Sequence, residues 1–70
     1  MNGREFIAKV GKLARRNGID VRFDRTRGKG SHGTLYFGDR HTVVKGGRKP
    51  LKTGTFLGMC KQLGIDPKEL

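Results

Sequence analysis

The hydrophobic period of this chain changes twice, and that double change restricts its fold more than any other feature. Phe6, Ile7, Val10, Leu13 and Ala14 recur at helical spacing, with Arg4, Lys9, Lys12, Arg15 and Arg16 off the stripe. From Ile19 the period drops to two: Ile19, Val21 and Phe23 alternate with Asp20, Arg22 and Asp24. Helical spacing returns at Phe56, Leu57, Cys60 and Leu63. A chain patterned this way carries a helix at each end and strands between.

The punctuation agrees. The first helix is expected over about 2–17, capped by Asn2 and stopped by Asn17-Gly18. Strands are expected over about 19–24, 31–37 and 41–45, with Gly38-Asp39 as a tight turn joining the last two. Gly46 to Pro50 breaks the pattern. The second helix is expected over 53–63, with Thr53 as cap and Gly64 as stop, and the tail from Ile65 forms one loose turn. The expected fold is α+β, in the order α-β-β-β-α: a three-stranded antiparallel sheet with two helices on one face. Its expected core is Phe6, Val10, Leu13, Val21, Phe23, Leu35, Phe37, Phe56, Cys60 and Leu63. Seventy residues make one domain, 1–70, with a single thin core.

A lone cysteine, Cys60, excludes an internal disulfide and a cysteine-based zinc site, and its place on an apolar stripe marks it as core. The first residues lack an apolar signal region, and no apolar run is long enough to span a bilayer, so a cytoplasmic protein is expected, with no membrane partner. The charge is lopsided: 16 Lys and Arg against 6 Asp and Glu, a formal net charge of +10. Such an excess points to a polyanion, above all nucleic acid. No helix-turn-helix or basic-zipper pattern favours DNA.

The chemistry-bearing segment is Arg27-Gly28-Lys29-Gly30-Ser31-His32. Two glycines allow close backbone approach to a phosphate, two cations add charge, and the imidazole titrates near neutral pH. If Leu35 and Phe37 face the helices, His32, Thr34 and Tyr36 face outward, together with Arg22. A two-residue turn then places His32 opposite Lys45 and Tyr36 opposite His41. That surface suits RNA cleavage by the RNA's own 2′-hydroxyl, which needs a base near the 2′-oxygen and cations or N–H groups near the phosphate. The six acidic residues are scattered, so neither a metal site nor a cofactor is expected. The RNA contacts expected are Arg27, Gly28, Lys29, Gly30, Ser31, Tyr36, Lys45, Arg48, Lys49 and Lys52, with His32 as the catalytic candidate. Each has a plainer reading: a histidine at a strand start is ordinarily a solvated residue, glycines serve turns, and a tyrosine forms strands.

Lys29-Gly30-Ser31-His32 at a loop-to-strand boundary, followed by an aromatic-rich strand, resembles the HicA toxin family. So do the helix end Asn17-Gly18 and the segment Lys52-Thr53-Gly54-Thr55 opening a last helix that runs to Gln62-Leu63-Gly64. The resemblance spans about Glu5 to Gly64. It implies a double-stranded-RNA-binding-domain-like fold and metal-independent endoribonuclease cleavage of mRNA, with His32 catalytic. It also implies an acidic HicB-type antitoxin that covers His32, with operator DNA contacted only through that antitoxin. Many relatives carry a second histidine where this chain has Gly33. The contrasting expectation is a non-catalytic double-stranded-RNA-binding module of the same fold, in which the basic residues matter and His32 does not.

Overall fold

The computed structural model describes residues 1–25, 32–45 and 49–70. The element order is α1 (Gly3–Asn17), β1 (Val21–Asp24), β2 (His32–Phe37), β3 (Arg40–Lys45), α2 (Thr53–Leu63) and a terminal 3-10 turn, Pro67–Glu69. The class is α+β, and the strands form one antiparallel sheet in the order β1-β2-β3.

The helix α1 starts where Asn2 caps it. The Asn2 side chain accepts from the Glu5 N–H (2.9 Å), and the Glu5 carboxylate accepts from the Asn2 N–H (3.3 Å), closing a capping box. Both helices end the same way, on a Gly-Ile-Asp tripeptide. Gly18 (φ 64°) and Gly64 (φ 70°) take the left-handed conformation that glycine alone adopts without strain. The next residue folds back in each case: Ile19 N–H to the Ala14 carbonyl (2.8 Å) and Ile65 N–H to the Cys60 carbonyl (2.9 Å).

That ending shortens the first strand. Ile19 closes α1, so β1 begins at Val21 rather than at Ile19. The turn at Gly38-Asp39 is as short as expected, so β3 starts one residue early, with Phe37 paired to Arg40. Gly38 has φ 61°, and among the described residues no non-glycine residue has positive φ, the sign pattern of a type II′ hairpin.

Thr53 is not the cap of α2. Lys52 holds that position with no side-chain cap bond, and its carbonyl accepts the first helical bond, from the Phe56 N–H (2.9 Å). The reason is tertiary. Asn2 bridges Pro50, and the Leu51 N–H donates to the Met1 carbonyl (2.7 Å), so the entry into α2 is pinned against the start of α1.

Strand alternation sends Leu35, Phe37 and Val44 into one cluster with Phe6, Val10, Leu13 and Ala14 of α1, Met59, Cys60 and Leu63 of α2, and Ile65. Phe6 and Phe56 meet edge to face, ring centres 6.0 Å apart. The expected core differs in two ways. Val21 is 37% exposed, because β1 is an edge strand of the sheet. Phe23 and Phe56 are half-buried at the margin of the cluster. The expected apolar stripe of α2 differs as well: Leu57 is 47% exposed and Met59 is buried, so the buried side of the helix carries Met59, Cys60 and Leu63, with Phe56 half-buried beside them. Spacings of three and four fit either choice at one turn, and packing against β3 decides it. Among the described residues no helix is long and apolar enough to cross a membrane.

Candidate nucleic-acid interface

The side of the sheet away from the cluster carries Arg22 and Asp24 from β1, His32, Thr34 and Tyr36 from β2, and His41, Val43 and Lys45 from β3. The register groups them into rows. Arg22, Tyr36 and His41 align across all three strands; Asp24, Thr34 and Val43 form the next row; His32 and Lys45 form the last.

A two-residue hairpin makes its flanking pair, Phe37 and Arg40, a hydrogen-bonded pair. Counting back, His32 and Lys45 fall in a non-hydrogen-bonded pair, the kind whose Cα atoms approach to about 4.5 Å and whose side chains lie closest. An exposed imidazole and an exposed ammonium therefore face each other directly, as the sequence led one to expect. A proton acceptor and a fixed cation side by side can hold a phosphodiester and accept a proton from a neighbouring hydroxyl.

His41 belongs elsewhere. It stands opposite Tyr36, four residues along the strand from His32, or about 13 Å at the usual strand rise. Of the groups that could assist His32, Lys45 is adjacent and His41 is not. Position 33 could not assist either. Gly33 points to the opposite, covered side of the sheet, where the Phe23 ring and the Asp24 carbonyl crowd it. A second histidine there would not share a face with the first.

Tyr36 is in a row of planar groups. The Arg22 guanidinium carbon lies 4.8 Å from the centre of its ring, and the His41 ring centre is 5.9 Å away, tilted by 41°. A shallow depression of about 260 Å³ beside this row is lined by Asp20, Val21, Arg22, Tyr36 and Gly38. Sequence reasoning placed Arg22 on this face but gave it no role; the strand register was the signal that joined it to Tyr36.

Lys49 and Lys52 are exposed at the entry to α2, beside the N-terminus of α1, and not on the sheet surface. Arg27, Gly28, Lys29, Gly30, Ser31 and Arg48 lie outside the described residues. Among the described residues no three of His, Cys, Asp and Glu stand close enough to hold a metal ion. Comparison of the chain with protein-family models, curated proteins and solved structures yields no match.

Proposed function

We propose that the protein is a HicA-type toxin: a metal-independent endoribonuclease that cleaves mRNA. The observation that carries this reading is the direct pairing of His32 with Lys45 on an exposed sheet surface of a strongly basic domain. The Gly-Ser-His motif and its place in an α-β-β-β-α chain add the family resemblance, and with it the double-stranded-RNA-binding-domain-like variant of the α+β class.

In the proposed reaction His32 accepts the proton of the ribose 2′-hydroxyl. The 2′-oxygen forms a bond to phosphorus, and the bond to the 5′-oxygen breaks. The 5′-oxygen takes up a proton, for which the Lys45 ammonium opposite His32 is the donor at hand. The products are a 2′,3′-cyclic phosphate and a 5′-hydroxyl. Lys45 also offsets charge on the phosphate oxygens as it develops. The segment Arg27 to Ser31 and Arg48, Lys49 and Lys52 supply phosphate contacts further along the RNA. The partner that silences the enzyme is an acidic HicB-type antitoxin seated over His32. It competes with RNA for the same surface, and its charge speeds capture.

The test is cleavage of an mRNA substrate in the presence of EDTA, followed by end-group analysis. Cyclic phosphate or 3′-phosphate ends are expected. Activity lost in EDTA and restored by Mg²⁺ would overturn the reading. Tight RNA binding with no cleavage by the wild-type chain would favour the non-catalytic binding module.

A further inference from the structure

We infer that Arg22, Tyr36 and Asp20 form a nucleobase subsite, two side-chain rows from His32, that takes a base bearing an exocyclic amine. The inference rests on the RNA reading above and adds a second point of attachment to it.

Three observations converge at that end of the sheet. Tyr36 does not offer a bare ring: the Arg22 guanidinium lies over it at 4.8 Å. The stacking surface at this end of the sheet is therefore a pair, the guanidinium held against the ring. Arg22 is exposed on β1, an edge strand of the sheet. Planar guanidinium groups stack with bases as aromatic rings do. The depression beside the row supplies room for a planar ring, and an acidic residue, Asp20, is among its lining residues with Arg22 and Tyr36. Asp20 repels a phosphate, so the occupant that fits is a base and not the backbone. A carboxylate accepts hydrogen bonds only, so it favours a base that donates from an amine and disfavours one that presents a carbonyl there.

The separation along β2 gives the subsite its meaning. Tyr36 lies four residues along β2 from His32, about 13 Å, which places the base it holds beyond the nucleotide being cleaved. A strand laid along β2 meets both ends of the surface only when its bases are unpaired and splayed, so the subsite selects single-stranded RNA.

The protein contains one tyrosine and no tryptophan, so its intrinsic emission reports on Tyr36 alone. The experiment titrates His32→Ala protein, which removes cleavage, with short oligocytidylate and oligouridylate RNA. These bases differ at C4, an amine in one and a carbonyl in the other, with the matching change at N3 from an acceptor to an N–H donor. Oligocytidylate is expected to quench Tyr36 emission and to bind more tightly than oligouridylate. Asp20→Asn in the same background should erase that preference. Arg22→Lys keeps the charge but loses the planar group: affinity should fall about tenfold while the salt dependence of binding is unchanged. Equal binding of the two RNAs, absence of quenching, or an Arg22→Lys protein with unaltered affinity would each overturn the inference. The enzymatic reading is judged separately. Cleavage by wild-type protein without these binding effects defeats the subsite alone, and quenching without wild-type cleavage defeats the nuclease alone.

Discussion

His32 and Gly33 are neighbours in sequence and stand on opposite sides of the sheet. His32 is on the exposed surface opposite Lys45; replacing it with alanine should leave the melting temperature nearly unchanged and lower cleavage by a factor of about 10² to 10⁴, the usual cost of losing a general base. His41→Ala, in a row about 13 Å away, should cost much less, and equal losses in the two variants would refute the division of roles. Gly33 behaves the other way. A Cβ there would lie 2.5 Å from the Phe23 ring and 2.8 Å from the Asp24 carbonyl. The ring can swing, but the carbonyl belongs to the strand paired with β2. Gly33→Ala should destabilise the fold by about 1–3 kcal/mol, read by denaturant titration. The side of the sheet taken by each candidate residue on β2 was legible in the sequence because alternation fixes which way each one faces. The crowding at Gly33 was not, because the Phe23 ring that causes it comes from another strand.

Each helix was legible as a stripe with a start and a stop, and the sequence was a poorer guide to how the stripe is rotated. In α2, Leu57 and Met59 compete for the face toward β3, and Met59 takes it. Leu57→Gln should therefore change stability by no more than about 0.5 kcal/mol, whereas Met59→Ala should cost about 2–5 kcal/mol. A large loss for Leu57→Gln would put α2 in the wrong rotation. The caps divide similarly. Asn2 was recognisable because it precedes an apolar stripe, and Glu5 three residues on completes its box. Thr53 had the chemistry of a cap but not the position, because the contacts of Pro50 and Leu51 with the first two residues set the start of α2. The repeated Gly-Ile-Asp at both helix ends was in plain view. It signals the shared ending and would have shortened the first strand in advance.

Two properties belong to the molecule entire. One is the core, in which Cys60 is fully buried between α2 and the sheet. Burial, aided by the Asp66 carboxylate, pushes its thiol above the ordinary value of 9.0. The native state thus holds this proton more tightly than the unfolded chain does. Its contribution to stability is complete below the ordinary thiol value and is lost as pH rises through the raised native value. Between those limits wild-type protein should lose stability faster with pH than Cys60→Ala, and native Cys60 should resist alkylation until the chain unfolds. Parallel pH profiles for the two proteins would refute this. The other property is the formal charge of +10. RNA affinity should fall steeply with salt, and Lys45→Ala should flatten the slope by about one unit if Lys45 contacts phosphate.

What the sequence determined by itself is everything that depends on neighbours along the chain. Period sets helix or strand, alternation sets which side of a strand a residue takes, and glycine with positive φ sets where a helix or hairpin turns. Because the turn has two residues, even the pairing of His32 with Lys45 and of Tyr36 with His41 followed from local counting. Only the tertiary structure decided the rest. It selected Met59 over Leu57, left Val21 at an open edge, moved the cap from Thr53 to Lys52, and laid Arg22 over Tyr36. Each of those outcomes depends on a group from a distant segment arriving at a particular distance, and spacing along the chain carries no record of such a distance.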